Sequence, residues 1–328
     1  MKIPTVYVEK TLLGLPRTQA VLQRCSAKHV IEINHYGEIF NRNRQNFRIQ
    51  KQQPALILAH KTGRKLLPVP GTHGLGEGAG FYFSHMLNCL YDCRYCFLQG
   101  MFRSAHYVLF INYEDFIDEI VGLARGGGEN AWIFSGYDCD SLALEPVTRF
   151  AETFMPTFEA CAGLNFEFRT KSTQVRQLLD LNPLPNVVIA ASLNPDVVCR
   201  QLEHRAPPVA NRLNALSRLQ QAGWQIGLRF DPLILVDDFR TVYLQFLQQL
   251  QHHLDLDAVH SITVGTFRLP ATHFRRIQQI HPDEPLFARA MVEQDRLITY
   301  PADDAESMTC WFIEELQRYF DDDIIHRQ

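Results

Sequence analysis

Residues 80–100 read GFYFSHMLNCLYDCRYCFLQG, a short apolar run followed by three cysteines within eight positions. The run is typical of a buried β-strand, and Cys89, Cys93 and Cys96 fall in the loop that follows it. A disulfide framework needs an even number of cysteines, and a structural zinc site takes four ligands. Three thiolates on one loop therefore favour a metal centre that keeps one coordination position open.

Two closed metal sites are alternatives for the same loop. His85 could complete a zinc site with the three cysteines, and Cys139 could be the fourth ligand of a closed electron-transfer cluster. We favour an ordinary role for His85, that of a strand histidine whose ring nitrogens are hydrogen-bonded.

Strand and helix patterns alternate along the chain from residue 80 onward. Because the strand-like runs are apolar on both faces, they indicate buried parallel strands. These runs are 80–86, 131–136, 166–172, 186–193, 225–233 and 260–267. Helical patterns separate or follow them at 112–128, where Asn112 is the expected N-cap, and at 145–162, 174–182, 208–222, 239–253, 271–280 and 303–320.

The alternation predicts an α/β fold, a partial (β/α)6 barrel of the TIM type, with a doubly wound sheet as the alternative. In either fold the catalytic groups gather at the carboxyl ends of the strands.

This pattern divides the chain into three parts. Residues 1–79 are expected to form a small N-terminal extension of short strands and a helix that begins near Pro16. The barrel is expected over 80–270, and a C-terminal region, 271–328, is expected to pack on it. The last residues, DDDIIHRQ, are expected to be a polar tail.

Composition is that of a globular protein, with 46% hydrophobic and 21% charged residues among 328. No run approaches the roughly 18 apolar residues that a membrane span requires. The scattered remaining cysteines suit a reducing compartment, so we expect a cytoplasmic protein without a membrane partner.

The net charge of −4 gives no overall electrostatic case for nucleic acid, but residues 41–65 carry only basic charges. This stretch could contact a phosphate backbone or form a solvated basic face. Its basic residues are Arg42, Arg44, Arg48, Lys51, Lys61, Arg64 and Lys65.

The spacing of the three cysteines resembles the signature of radical S-adenosylmethionine enzymes. The resemblance implies that Cys89, Cys93 and Cys96 hold a [4Fe-4S] cluster whose fourth iron binds S-adenosylmethionine. It also implies that one-electron reduction, by a donor such as flavodoxin or ferredoxin, cleaves the sulfonium to a 5′-deoxyadenosyl radical.

A longer series of matches is similar to the spore photoproduct lyase family, whose members repair a pyrimidine photoproduct in DNA. The matching stretches are CRYCFLQG, SGYDCDSLALE (135–145), FRTKS (168–172), ASLNP (191–195), LEHRAPPVANRL (202–213), GLRFDPLI (227–234) and VGTFR (264–268).

The family resemblance implies a set of residues that bind S-adenosylmethionine. Ser135 and Gly136 lie where the methionine ammonium binds, and Asp140 matches an acidic position beside them. Lys171 and Ser192 match positions that contact the carboxylate and the ribose, although Ser192 could instead cap the helix that follows it.

Two further pairs of residues have structural or substrate roles in this comparison. Arg229 and Asp231 could brace the barrel as a buried pair or contact substrate. Glu203 and Arg212 could link a loop to a helix.

The chain departs from the family at the two positions expected to deliver hydrogen to the substrate radical. Phe97 replaces a tyrosine after the third cysteine, and Tyr137 stands where a donor cysteine is expected. Three explanations stay open. Cys139 reaches the substrate, Tyr137 donates with Tyr95 completing a relay, or the enzyme acts on a different substrate.

Overall fold

The computed structural model describes residues 2–69 and 79–328, so residues 70–78 of the expected N-terminal extension lie outside the described part. Its strands, β1 to β18, are Thr5–Glu9, His29–Ile33, Leu56–Ala59, Leu66–Pro68, Gly80–Phe83, Met86–Leu87, Asp92–Cys93, Tyr107–Phe110, Trp132–Ser135, Asn165–Thr170, Val187–Ser192, Glu203–His204, Gln225–Leu233, Val259–Thr266, Arg268–Pro270, Val292–Gln294, Leu297–Thr299 and Ile325–Arg327. Its α-helices, α1 to α13, are Pro16–Arg24, Gly37–Phe40, Phe47–Gln52, Leu98–Met101, Tyr113–Arg125, Glu145–Thr148, Phe150–Ala160, Arg176–Leu179, Asp196–Leu202, Val209–Gln221, Phe239–Gln251, Ala271–Ile280 and Ala302–Leu316.

The largest sheet contains all six of the strands predicted for the barrel. Its order is β18-β14-β13-β11-β10-β9-β5-β4, so β5, β9, β10, β11, β13 and β14 follow one another in sequence order. These six strands are parallel. A doubly wound sheet would reverse its strand order partway. The expected partial barrel of the TIM type is therefore confirmed.

Burial explains why these segments form parallel strands and amphipathic helices. Every residue of β11 is buried, as a strand covered on both faces requires. The helix α10 buries Val209, Leu213, Leu216 and Leu219, which recur at helical spacing and pack on the sheet. The apolar patterns of the sequence therefore correspond to the faces that the fold buries.

A second sheet joins the N-terminal segment to the cysteine-bearing segment. Its order is β2-β1-β3-β8-β6, and β6 and β8 lie after residue 79. In the other direction, β4 of the N-terminal segment pairs antiparallel with β5. Backbone hydrogen bonds thus cross the boundary expected at residue 79 in both directions. The strand β8 was not predicted from the sequence.

Two local expectations were wrong. The C-terminal residues are not a polar tail, because Ile325–Arg327 forms β18 and pairs in parallel with β14. Asn112 occupies the N-cap position of α5, but its side chain makes no capping bond. The amide instead accepts from the N–H of Lys61 (2.9 Å) and donates to Asp115 (2.7 Å), so it ties two segments together.

The C-terminal region lies against the cysteine loop. A Cβ on Gly100 of α4 would come within 2.5 Å of the carbonyl oxygen of His273 in α12. Only glycine permits this close approach between the two helices. None of the helices in the described ranges is both long and apolar enough to cross a membrane.

Candidate active site

The three cysteines lie on a loop that several other segments hold in place. Cys93 belongs to β7, which pairs with β12 so that Cys93 lies opposite Glu203. The N–H of Arg94 donates to the carbonyl of Leu202 (2.8 Å). The ammonium of Lys51, in α3, donates to the carbonyl of Cys89 (2.6 Å). These hydrogen bonds fix the loop, and all three thiols are free.

The surroundings of these thiols disfavour a negative charge on them. Burial raises the pKa of Cys89 to about 12, and it also raises the pKa of Cys93 and Cys96. The positive charges of Lys51, near Cys89, and Lys171, near Cys93, act in the opposite direction. Three thiolates become favourable here when cations accompany them. The donor set thus fits a centre that brings its own positive charge.

Across residues 2–69 and 79–328, no three His, Cys, Asp or Glu side chains lie close enough to share one metal ion. An iron–sulfur cube places each thiolate on a different iron, so its cysteines need not converge on one ion.

Ser135 and Gly136 lie at the carboxyl end of β9. Gly136 has a φ of +82°, and a Cβ there would meet the hydroxyl of Ser141 and the carbonyl of Arg169. The position therefore requires glycine. The hydroxyl of Ser135 is buried and contacts the hydroxyl of Ser141 (2.8 Å). Gly136 exposes backbone at the strand end, whereas the Ser135 side chain has an internal partner.

Asp140 connects the ends of two strands. One carboxylate oxygen accepts from the N–H groups of Leu142 (3.1 Å) and Ala143 (2.9 Å) and from the hydroxyl of Thr170 (2.7 Å). The other oxygen accepts from the N–H of Lys171 (2.6 Å). Burial raises the pKa of Asp140, and these donors counteract that rise. Asp140 therefore holds the loop after β9 against the end of β10.

Lys171 places a positive charge beside the cysteine loop. Its ammonium lies 5.5 Å from the centre of the Tyr95 ring. Burial lowers the pKa of Lys171, but Glu203 and Cys93 raise it, and the net result is above the ordinary value. Glu203 is itself ion-paired with Arg212 (2.5 Å), and Lys171 forms no ion pair of its own in the described chain. Lys171 therefore has charge available for an anionic group.

Ser192 lies at the end of β11 and is buried, and its carbonyl accepts from the guanidinium of Arg212 (3.5 Å). It does not cap the following helix, since α9 begins at Asp196 and Pro195 occupies the N-cap position. The capping interpretation of Ser192 was therefore wrong, and a contact with a bound molecule stays a prediction.

Tyr95 is part of a buried polar network. Its hydroxyl donates to the carboxylate of Glu203 and accepts from the amide of Asn194 (3.4 Å). The hydroxyl of Tyr243 donates to Asn194 (3.1 Å), which extends the network to α11. Glu203 and Arg212 form the expected link between loop and helix, so that prediction is confirmed. The sequence did not indicate Asn194 and Tyr243, because polar residues at strand ends and on helices carry no distinctive spacing.

The two positions that depart from the family lie against each other. The rings of Phe97 and Tyr137 have centroids 5.8 Å apart, and Tyr137 stacks on Tyr82 at 4.4 Å. Tyr137 is partly exposed, whereas Cys139 is buried. Burial and then the nearby Cys89 raise the pKa of Cys139. Tyr137 thus lies beside Phe97, the residue that follows the third cysteine. Cys139 lies in the interior, near the first cysteine.

His85 differs from the histidine expected at a strand end. It lies beyond the end of β5, is fully buried, and stacks on Phe150 with centroids 4.0 Å apart. Neither ring nitrogen has a hydrogen-bond partner in the described chain. Burial lowers the pKa of His85 to about 3. The interpretation of His85 as a hydrogen-bonded histidine was wrong.

Arg229 and Asp231 do not pair with each other. Arg229 forms a fully buried ion pair with Glu167 (2.8 Å), and Asp231 binds Arg268 (2.9 Å). Arg229 therefore braces the barrel, but through a different partner. Glu167 was missed because it occupies the middle of an apolar strand pattern.

The basic residues of the stretch 41–65 differ in their exposure to solvent. Arg42, Arg44, Arg48 and Arg64 are exposed, but Lys51 is buried against the cysteine loop and cannot contact a phosphate backbone. Charge along the sequence could not separate these two groups.

Comparisons with known proteins agree with this arrangement. A family model described as spore photoproduct lyase matches residues 77–300. Spore photoproduct lyase of Bacillus subtilis (strain 168) is 24% identical over 180 residues, which cover 53% of this chain and 52% of that protein. The enzyme of the same name from Clostridium acetobutylicum is 21% identical over 257 residues, or 74% of each chain. The match thus spans about half the length of the Bacillus relative.

A solved structure shares the fold over almost the whole chain. It is a spore photoproduct lyase double mutant with bound AdoMet and dinucleoside spore photoproduct. The superposition covers 99% of this chain and 97% of the chain in the solved structure, with a TM-score of 0.83 and 17% sequence identity. Because the family model matches well over half of the residues, the chain belongs to the spore photoproduct lyase family.

Proposed function

We propose that this protein is a radical S-adenosylmethionine enzyme that repairs a pyrimidine photoproduct in DNA. The observation that carries the proposal is the meeting of three free thiols on one loop with the available charge of Lys171, at the carboxyl ends of parallel barrel strands. Family membership supports the assignment, and AdoMet and a dinucleoside photoproduct are bound in the related structure.

Each side chain of the site has a defined part in this proposal. Cys89, Cys93 and Cys96 would hold three irons of a [4Fe-4S] cluster. Lys171 would neutralise the carboxylate of S-adenosylmethionine, and Ser192 would hydrogen-bond its ribose. When bound, the cluster and S-adenosylmethionine supply one-electron cleavage of the sulfonium, which yields a 5′-deoxyadenosyl radical.

The strand ends supply the rest of the S-adenosylmethionine pocket. The backbone of Ser135 and Gly136 would receive the methionine ammonium, because the positive φ of Gly136 turns the main chain at this strand end. Asp140 would act through the loop that it holds, since both of its oxygens already have protein donors.

Tyr137 is the residue that we assign to hydrogen return. Its ring lies next to Phe97, and it is partly exposed, whereas Cys139 is buried and the hydroxyl of Tyr95 is bound to Glu203. A phenolic O–H can transfer its hydrogen atom to a carbon radical, which leaves a tyrosyl radical. Tyr95, whose hydroxyl Glu203 holds, would return a hydrogen atom to Tyr137, and the radical then left on Tyr95 would be reset by one electron from the reductant and one proton.

The first experiment tests the cofactors. The protein is reconstituted anaerobically with iron and sulfide and then reduced with dithionite in the presence of S-adenosylmethionine. We expect bound iron and release of 5′-deoxyadenosine, both abolished by Cys93→Ala and both retained by Cys161→Ala, a buried cysteine in another part of the barrel. Stoichiometric zinc without cleavage would establish the closed zinc site instead. Replacing dithionite by reduced flavodoxin or ferredoxin tests the physiological class of reductant.

The second experiment tests the substrate and the hydrogen donor. With a dinucleotide spore photoproduct, the reduced enzyme should release thymidylyl-thymidine. Tyr137→Phe should keep 5′-deoxyadenosine formation and lose most of this product, whereas Cys139→Ala should keep both. If the wild-type enzyme forms ample 5′-deoxyadenosine and no repaired product, the family member acts on a different substrate.

A further inference from the structure

Lys51 is a buried lysine that the binding of cluster and S-adenosylmethionine does not use. It lies in α3 of the N-terminal segment, and only 4% of its surface is exposed. Its ammonium donates to the carbonyl of Cys89 (2.6 Å). In the described chain no carboxylate lies within ion-pair distance of this ammonium. A buried cation is costly without a negative partner, so its position beside Cys89 needs an explanation.

The groups around Lys51 have unused hydrogen-bonding capacity. The ring of Tyr107, on β8, lies 5.9 Å from the ammonium, and its buried hydroxyl has no partner in the described residues. Burial and then Cys89 raise the pKa of Tyr107. The guanidinium of Arg205 donates to the main-chain carbonyl of Lys51 and so fixes the end of α3. Lys51 thus contacts the main chain of the first cysteine, and the phenol of Tyr107 lies close to the Lys51 ammonium.

The residue that the Lys51 ammonium contacts, Cys89, would carry a negative charge as a thiolate. Burial lowers the pKa of Lys51, and Cys89, Asp92 and Cys96 act against this. A cube held by three thiolates has a net negative charge that increases on reduction. Positive charge and hydrogen bonds to sulfur both stabilise the reduced form and raise the reduction potential.

We propose that Lys51 and Tyr107 set the reduction potential of the cluster, Lys51 by its buried charge beside Cys89 and Tyr107 by a hydrogen bond that its unpartnered hydroxyl would donate to sulfur once the cluster is bound. This inference rests on the proposed cluster and concerns its tuning. The N-terminal segment thereby contributes to the chemistry of a loop that lies outside it.

The test is a redox titration of the reconstituted protein. The electron paramagnetic resonance signal of the reduced cluster monitors the titration, so no substrate turnover is needed. In Lys51→Met, which keeps the length of the stem, the ratio of reduced to oxidised cluster at a fixed potential should fall about tenfold, equal to 59 mV for a one-electron couple. Lys51→Arg should restore the wild-type potential. Tyr107→Phe should shift it in the same direction as Lys51→Met.

Lys61→Met is the matched control, because it removes a lysine that is also partly buried and lies over the Phe110 ring of the same sheet. It should leave the potential unchanged. Wild-type potentials in Lys51→Met and Tyr107→Phe, at full iron content, would overturn the proposal. If Lys51→Met binds no iron, Tyr107→Phe decides alone, since a lowered potential supports the inference and an unchanged one refutes it.

Failure of this inference is distinct from failure of the proposed function. A wild-type protein that takes up iron and cleaves S-adenosylmethionine retains the proposed function whatever the variants show. A wild-type protein that assembles no cluster refutes both.

Discussion

His85 and Phe150 form a stacked pair in the core, and the unpaired ring nitrogens of His85 make this pair sensitive to acid. The pKa of His85 is about 3 in the fold and 6.5 ordinarily, so the folded state binds this proton less readily than the unfolded chain. Its contribution to stability is therefore complete above pH 6.5 and is lost as pH falls toward 3.

His85→Phe should remove this dependence while keeping the stacked ring. Between pH 7 and pH 5.5 the wild-type free energy of unfolding should fall by about 1 kcal/mol more than that of the variant. Urea denaturation at the two pH values measures the difference. Equal losses in the two proteins would show that His85 takes up its proton in the folded state as easily as in the unfolded chain.

Gly136 gives a second test at this scale. Gly136→Ala would require a positive φ and a Cβ that meets Ser141 and Arg169, at a cost of roughly 1–3 kcal/mol, and should weaken S-adenosylmethionine binding. Gly122→Ala is the control, because a Cβ at this exposed position of α5 has no neighbour within 4 Å and should stabilise by roughly 0.5–1 kcal/mol. Thermal denaturation and equilibrium binding of S-adenosylmethionine measure both effects. Unchanged binding by Gly136→Ala would remove this strand end from the site.

The sequence predicted individual residues where spacing carries the information. Cys89, Cys93 and Cys96 could be proposed as cluster ligands from the sequence because three thiolates on one loop have few uses. The contact between Phe97 and Tyr137 was not, because it joins two loops that only the folded sheet brings together. Burial of Lys51 was equally hidden, since its neighbours in sequence are polar.

Between elements, the ion pair of Glu167 and Arg229 connects β10 and β13 across β11. Burial raises the pKa of Glu167, but the positive charges of Arg169 and Arg229 have the larger opposite effect. The pKa is therefore lowered from an ordinary 4.5 to about 2. The pair's contribution is thus present above pH 4.5 and is lost as pH falls toward 2.

Glu167→Gln should destabilise the protein by about 3–5 kcal/mol at neutral pH, because it leaves the charge of Arg229 buried without an anion. Glu293→Gln, which breaks an exposed pair with Arg275, should cost at most about 1 kcal/mol. Chemical denaturation compares the two variants. Similar small losses would mean that water or a rearranged side chain compensates Arg229.

Elements with two apolar faces or a helical period were predictable, and their ends agree within a few residues. Short strands were not predictable from the sequence. Ile325–Arg327 closely follows three aspartates and becomes a strand because it pairs with the edge of β14. The backbone partner, and not the sequence of the segment, determines its structure.

At the scale of the whole molecule, the large sheet ends at β18 on one side. Deleting residues 324–328 would remove this strand and the bond from the N–H of Gln328 to the carbonyl of Val264 (2.9 Å). We expect a loss of roughly 2–3 kcal/mol, a few net hydrogen bonds, in urea denaturation. Glu306→Gln, which removes the surface pair with Arg327 and the carboxylate that accepts from the Cys310 thiol, is the control and should change little. A truncated chain as stable as the wild type would show that the edge of β14 needs no cover.

The overall architecture followed from the order of strand and helix patterns, but the joining of the N-terminal segment did not. Whether an early segment forms its own sheet or extends a later one depends on long-range backbone pairing, which leaves no periodic trace. The pairing of β3 with β8 is such a case.

The described strands leave the large sheet with two separate edges, β4 and β18, which do not pair with each other. A closed barrel admits its ligands only through the opening at one end, so a long polymer chain would have to enter it end first. A curved sheet with a gap has no such restriction. For the DNA substrate that we propose, this gap would let a long polynucleotide enter and leave from the side, without an end of the strand passing through the barrel.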